Sequence, residues 1–252
     1  MDILFLEAPY SGKVELSEEL IKHLKDNNLT NIALYTSVQF ISKLDTVNKQ
    51  LKDNSINTFT TKAARTHVKG QLLGCDCFKS SLNNLNQDNI QSFLYIGDGR
   101  FHPLALVFSQ KDNDKIKDTI CYDPMTNKFT ILNKDNIKTM LKKYKGSLLK
   151  FFTKNTIGVI NTVKPGQQQL APSLALEKKY PDKKFYFFID DNLSFNQLEN
   201  FPFIDVWVNT ACPRIGFDDQ QAFRKGIVNL NDALNAKEIL TKDSVLNNIN
   251  NI

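Results

Sequence analysis

The chain has 252 residues, 41% of them hydrophobic and 23% charged, which suffices for one large or two modest α/β domains and excludes a disordered or fibrous protein. A net charge of +5, with no basic block beyond pairs such as Lys142-Lys143, Lys178-Lys179 and Lys183-Lys184, marks no particular partner, and no direct nucleic-acid contact is expected. No run is long enough to span a bilayer and no signal peptide is visible, so a cytoplasmic protein without membrane association is expected. In a reducing compartment its four cysteines should not form structural disulfides.

Asp2 to Ala8 reads as a first strand. After a loop at Pro9 and Gly12, Ser17 opens an amphipathic helix through about Asn27. Asn31 to Ser37 is a second strand, followed by a helix from Val38 to about Asp53. This alternation predicts a parallel sheet covered by helices. Thr58 to Gly74 weakens into a polar connection with Arg65, His67 and Lys69, and Gln71 to Asp76 resembles a short strand ending in a cysteine turn. Ile90 to Ile96 is a further strand that runs into Gly97-Asp98-Gly99-Arg100-Phe101-His102-Pro103. Asp118 to Asp123 and Lys128 to Leu132 should form a hairpin, and a long helix from Asp135 to about Lys154 follows.

The second half repeats the rhythm. Thr156 to Asn161 is a strand, and Lys164-Pro165-Gly166-Gln167 leads into a helix ending near Lys179. Lys184 to Ile189 is another strand. After a short helix, the apolar run Phe201 to Val208 reads as a buried strand that delivers Cys212. The Asn-rich tail from Val245 should fray. The fold class is therefore α/β, with two similar small domains, residues 1–134 and 135–252, each a short parallel sheet flanked by helices.

Open α/β sheets bind ligands at the carboxyl edge of their strands. Two segments are placed there. Cys212 is followed by Pro213, which forces a turn, and by the charged residues Arg214 and Asp218-Asp219. A lone cysteine at such a place is as readily a buried small hydrophobe as a ligand. Cys75 also stands just past a strand, and its separation from Cys212 rules out a compact zinc knuckle. If the two thiols converge they do so from two domains, on zinc or on an iron–sulfur cluster. Cys77 and Cys121 default to the core. In Gly97 to Pro103 the glycines permit close backbone approach to a ligand, and His102 beside Asp98 and Arg100 could hold a small molecule or carry a proton. Pro165-Gly166-Gln167 is a strand-to-helix turn of common type.

Taken together these segments resemble a known family. Glu7-Ala8-Pro9-Tyr10, Gln39-Phe40, Gly70-Gln71-Leu72-Leu73-Gly74-Cys75, Tyr95 through Pro103, Lys164-Pro165-Gly166-Gln167 and Asn209-Thr210-Ala211-Cys212-Pro213-Arg214 occur in the order of the 3-amino-3-carboxypropyltransferases of diphthamide biosynthesis. The resemblance runs to about Asn229. It implies a non-classical radical enzyme in which a 4Fe-4S cluster binds S-adenosylmethionine, and a 3-amino-3-carboxypropyl group passes to a histidine of elongation factor 2. By the same resemblance Cys75 and Cys212 are cluster ligands. Gln71, Gly97, Asp98, Gly99, His102 and Gln167 line the S-adenosylmethionine site, with His102 and Asp98 in catalytic roles. Members of the family carry a further N-terminal domain of about 100 residues, with the third cysteine, that has no counterpart here. A separate N-terminal-domain protein or a paralogous subunit is the expected partner, and a dimer is a further expectation. The alternative is a non-catalytic partner subunit of the transferase. A quinolinate-synthase-like iron–sulfur enzyme is a more remote resemblance.

Overall fold

Local chemistry accounts for the first elements of the computed structural model, which describes residues 8–164, 166–192 and 194–249. The Leu20 N–H donates to Ser17 Oγ at 3.3 Å, and Glu18 and Glu19 fill the first turn of helix α1 (Glu18–Asp26), which buries Leu20 and Leu24. Strand β1 (Asn31–Thr36) leads through a 3₁₀ turn, Val38–Lys43, into α2 (Leu44–Asp53), whose buried face is Leu44, Val47 and Leu51. Then come β2 (Asn57–Phe59), β3 (Ser92–Ile96), a short helix α3 (Leu104–Phe108), and the strands β4 (Thr119–Asp123) and β5 (Lys128–Leu132). The sheet order is β2-β1-β3-β4-β5. All pairings are parallel except the expected β4–β5 hairpin. Both faces are covered, so β1 reads as a continuous apolar run. Ile32 and Leu34 pack among the residues of α1 and α2, while Ala33 and Tyr35 join Phe93, Tyr95 and Leu106 on the other face.

The chain separates into two units, Met1–Lys111 with Lys115–Asn136 and Asp112–Asp114 with Ile137–Ile252. The second is built on α4 (Lys134–Thr153), which buries Ile137, Leu141, Tyr144, Leu148 and Phe151 at alternating spacings of four and three. Strand β6 (Thr156–Thr162) is followed by α5 (Leu170–Ser173), α6 (Ala175–Lys179), β7 (Lys184–Asp190), α7 (Phe195–Glu199) and β8 (Val206–Asn209). After α8 (Arg214–Phe217) come β9 (Gly226–Asn229), α9 (Leu230–Leu234), α10 (Ala236–Thr241) and α11 (Val245–Asn248). The sheet order is β7-β6-β8-β9, all parallel. Matching β6 to β1, β7 to β2, β8 to β3 and β9 to β4 gives both sheets the same winding. Among the described residues no helix is long and apolar enough to cross a membrane.

The strand expected at Asp2 to Ala8 falls, but for Ala8, outside the described residues. Several other expectations are corrected. Phe201–Val208 is not one strand, because Pro202 holds its first half in a turn and only Val206 onward joins the sheet. The polar connection from Thr58 contains the end of β2, and Gln71 makes a single parallel bridge to Thr36 where a short strand was expected. The helix expected before Lys179 is two short ones, and α3 and β9 were not foreseen. The tail does not fray at Val245: α11 buries Val245 and Leu246.

Gly158 lies under Trp207, and a Cβ there would stand 2.4 Å from the indole. Gly158→Ala should destabilise the second unit by about 1–3 kcal/mol. Trp207 is the only tryptophan of the chain, so urea unfolding followed by its fluorescence checks this, and an unchanged midpoint would contradict the packing.

Candidate functional site

In a sheet ordered 2-1-3-4 the connections leave the first strand and its third-strand neighbour in opposite directions, opening a crevice outside their carboxyl ends. In the first unit that crevice lies beyond β1 and β3, and in the second beyond β6 and β8. The segments singled out in the sequence occupy these places.

At the edge of the first unit, the Thr36 N–H donates to the Gly70 carbonyl at 2.8 Å and the Leu72 N–H donates to the Thr36 carbonyl at 2.9 Å, which fixes Gln71 beside the end of β1. Gln71 is buried. The chain then turns. Asp76, fully buried, accepts the N–H groups of Leu73 at 3.0 Å and Arg65 at 3.3 Å. Burial pushes its carboxyl above the usual range, against the pull of those hydrogen bonds and of Arg65. The turn presents Cys75 half-buried, while Cys77 points inward. A Cβ on Gly74 would stand 2.3 Å from the Phe101 ring. The cysteine turn and the Gly97–Pro103 segment therefore touch.

That second segment begins where Gly97, at φ 152°, receives the Tyr95 ring so closely that a Cβ would lie 2.9 Å from the phenol oxygen. The Gly97 N–H donates to the Tyr122 carbonyl at 2.9 Å. Gly99, at φ 65°, faces open space. Asp98 and Arg100 are exposed and His102 half-buried, with the imidazole edge-on to Phe101 at 5.4 Å. The Ala105 N–H donates to the His102 carbonyl at 3.0 Å, which roots the segment in α3. Beneath it, Tyr95 and Ser37 bury hydroxyls that have no hydrogen-bond partner among the described residues. Burial raises the Tyr95 phenol, and the nearby Ser37 hydroxyl offsets only part of this.

In the second unit a depression of about 200 Å³ opens at the carboxyl edge, lined by Lys164, Gln167, Asp190, Phe195, Ala211 and Asp219 among others. Cys212 stands half-buried on its turn. Asn209 and Asn229 are register partners across β8 and β9. The Asn209 amide donates to Asn229 Oδ1 at 2.9 Å and to the Cys212 carbonyl at 2.8 Å. Asn229 in turn donates to the Pro213 carbonyl at 3.0 Å. Behind them Tyr144 donates to Asp232 at 2.5 Å and accepts the Asn229 N–H at 3.1 Å. Thr210 Oγ lies 3.1 Å from Asn161 Oδ1, while Asn161 Nδ2 is buried with no partner among the described residues. Arg214 is buried and paired with Asp218 through its Nε at 3.0 Å, so this ion pair steadies the turn. Partial burial, and then the neighbouring Asp218, push the Asp219 carboxyl up.

Asn161, Asn209 and Asn229 were missed as a set. Their signal was present, since each closes or nearly closes an apolar strand in Ile160-Asn161, Val208-Asn209 and Val228-Asn229. One expectation needs refinement: Cys75 and Cys212 both follow strands, but not equivalent ones. Cys75 lies between β2 and β3, whereas Cys212 lies between β8 and β9, the counterparts of β3 and β4. The counterpart of the Cys212 turn in the first unit is the Gly97 segment.

Two of the four thiols suit metal ligation. Cys77 is fully buried, with its Sγ 3.6 Å from the Cys75 carbonyl. Cys121 is buried and its thiol is pushed up to about 12, with Arg100 opposing weakly. Cys75 and Cys212 remain accessible. Among the described residues no three His, Cys, Asp or Glu side chains gather into a metal-binding group.

With this geometry in hand, the family model for diphthamide synthesis proteins matches residues 2–243. The chain belongs to this family. It is 27% identical to a 2-(3-amino-3-carboxypropyl)histidine synthase of Pyrococcus horikoshii, over 90% of this chain and 64% of that protein. To the synthase subunit 1 of Eremothecium gossypii it is 26% identical, over 84% of this chain and 49% of the relative. To that of Encephalitozoon cuniculi it is 24% identical, over 90% and 61%. The chain thus spans between about half and two thirds of these relatives. The crystal structure of Dph2 from Pyrococcus horikoshii with a 4Fe-4S cluster superposes with a TM-score of 0.72 at 22% identity, covering 96% of this chain and 72% of that one, a likeness of fold.

Native protein at neutral pH should therefore expose two reactive thiols, Cys75 and Cys212, to a thiol reagent. Cys77 and Cys121 should react only after unfolding. Peptide mapping checks this, and four fast thiols would contradict the burial. Asn209→Ala should cost about 1–3 kcal/mol, the range for orphaning a buried hydrogen-bond partner, and speed the labelling of Cys212 alone.

Proposed function

We propose that this chain forms part of a 4Fe-4S enzyme that cleaves S-adenosylmethionine and transfers its 3-amino-3-carboxypropyl group to a histidine of elongation factor 2, the opening step of diphthamide synthesis. One observation carries the reading. The two cysteines that are not buried stand on turns at the carboxyl edges of two equally wound sheets, each within a segment that resembles the family. Thiolates of this accessibility fit an iron–sulfur centre. Cys75 and Cys212 would be its protein ligands within this stretch, and the relatives named subunit 1 support a partner subunit beside it. When bound, the cluster supplies the electron for reductive cleavage of S-adenosylmethionine.

This chain's own residues then bind and orient. Gly97 and Gly99 let a ligand approach the backbone; Gln71 and Gln167 offer amides from their respective edges. Asp98 and His102 are accessible enough to hold the ligand's charged groups or to move a proton at the imidazole. Asn209, Asn229 and the Arg214–Asp218 pair keep the Cys212 turn in one geometry. Localisation in the cytoplasm, where the translation factor resides, belongs to the same reading.

The test is anaerobic reconstitution of the chain alone and mixed with a candidate N-terminal-domain or paralogous protein, followed by visible absorption and transfer of label from S-adenosylmethionine to elongation factor 2. A cluster and transfer only in the mixture are expected. Cys75→Ser and Cys212→Ser should each abolish both. A cluster that survives Cys212→Ser would overturn the ligand assignment, and none in any mixture would favour a non-catalytic subunit.

A further inference from the structure

The Gly97–Pro103 segment carries the chain's single Asp-Gly pair, Asp98-Gly99, and no Asn-Gly pair occurs. In such a pair the glycine nitrogen can attack the aspartate Cγ, because no Cβ on the attacking residue blocks its approach. The nitrogen loses its proton, a carboxyl oxygen leaves as water, and a cyclic imide closes between the Asp98 side chain and its own carbonyl. Water then reopens the ring. Attack at Cγ restores aspartate, whereas attack at the former peptide carbonyl gives isoaspartate, whose main chain runs through Cβ and Cγ. The water released in the first step is returned in the second, and nothing is oxidised or reduced.

A fold suppresses this chemistry by holding the side chain, the nitrogen or both, so that local structure must open first. Comparable pairs elsewhere in the chain are held. At Asn54-Ser55, the Asn54 amide donates to the Gln50 carbonyl at 2.8 Å and accepts from Lys25 Nζ at 2.7 Å, and the Ser55 N–H donates to the Lys52 carbonyl at 2.9 Å. At Asp243-Ser244 the carboxylate accepts the Asn248 amide at 2.6 Å, and the serine Cβ crowds the nitrogen. Asp98-Gly99 has none of these restraints. Both residues are exposed, and neither the Asp98 carboxylate nor the Gly99 N–H makes a hydrogen bond among the described residues. A Cβ placed on Gly99 would meet nothing within 4 Å, so the space into which the ring closes is open.

We propose that Asp98-Gly99 is a modification site at which the native protein converts spontaneously to isoaspartate. The product inserts a carbon into the main chain between two anchored points, the Gly97 N–H on the Tyr122 carbonyl and the Ala105 N–H on the His102 carbonyl. The turn must bow to take it up, and the free carboxylate then hangs directly from Cα. Displacement of Asp98 and His102 from a bound ligand would follow on the function proposed above; the isomerisation itself does not rest on that function.

Storage of the purified full chain in neutral buffer at physiological temperature for several weeks, followed by tryptic mapping, tests this. The peptide ending at Arg100 is read for isoaspartate by altered retention and by resistance to cleavage before residue 98 with an aspartate-specific protease. A synthetic peptide from Ser92 to Pro103 supplies the rate of the unheld sequence. The native chain, shown folded by circular dichroism, should isomerise within about tenfold of that peptide, since no structure has to open first. Asn54 and Asp243 should stay unchanged over the same period. Gly99→Ala should slow the conversion by at least about tenfold, and Asp98→Glu, whose ring would be larger, should abolish it. A native chain slower than the peptide by more than about tenfold overturns the proposal, as does a rate indifferent to Gly99→Ala. If Gly99→Ala unfolds, the comparison of native chain with peptide decides alone.

Discussion

Two side-chain amides, one on the end of each of two adjacent parallel strands, govern where the Cys212 thiol sits. Because Asn209 and Asn229 are register partners, their amides meet over the sheet edge and spend their remaining capacity on the carbonyls of Cys212 and Pro213. A tight turn at a sheet edge otherwise leaves such groups unpaired, at a cost of about 1–3 kcal/mol each. The arrangement constrains its surroundings. Gly216 must be glycine, since a Cβ would stand 2.4 Å from Asn229 Oδ1. Tyr144 must hold the end of β9 through its hydroxyl, fully buried between Asp232 and the Asn229 N–H. Burial, then the Asp232 charge, drive that phenol far above its ordinary range, so it stays a donor at any pH the fold survives.

The first unit meets the same problem with a carboxylate. Asp76 collects the N–H groups of Leu73 and Arg65 and so closes the turn that offers Cys75. Its burial works against its ionisation, and the protonated acid would be a poorer acceptor for two donors. The sign follows: a carboxyl whose folded pKa is raised loses relative stability as pH rises past its unfolded value, so the hydrogen bonds must offset the cost of keeping it charged. Amides carry no such penalty, so the hydrogen bonds that Asn209 and Asn229 give the Cys212 turn do not depend on pH, unlike its Arg214–Asp218 pair.

The sequence was most legible where one signal acted alone. Serine and two glutamates marked α1, and the hairpin of β4 and β5 followed from two apolar runs around Pro124 and Asn127. Periodicity marked α4. It failed where two signals collided. The apolar content of Phe201–Val208 outweighed Pro202, although a proline that cannot donate to a ladder sets the limit of the strand. Val245 and Leu246 were hidden behind asparagines, yet they fill the second unit's core because burial depends on what a short helix meets. Both cysteine turns were placed correctly at sheet edges. What held them was not legible, because Asn209 with Asn229, and Asp76 with Arg65, become neighbours only once register and turn geometry exist.

The shared winding of the two sheets makes the location of the cysteines informative. Had each unit simply copied a ligand-bearing turn, Cys75 would follow β3, where the Gly97 segment stands. Instead the first unit gives its crevice to two glycines and brings its thiol from the preceding connection, pressed against Phe101 through Gly74. The second gives the equivalent crevice to the thiol and leaves the neighbouring connection, beyond β6, to Gly166 and Gln167. A 2-1-3-4 sheet dictates only that an opening exists at the carboxyl edge; which connection fills it with a thiol and which with bare backbone is free to differ. The fold therefore places both segments where a ligand could be met, and the crevice of the first unit presents glycine backbone where the equivalent crevice of the second presents a thiol.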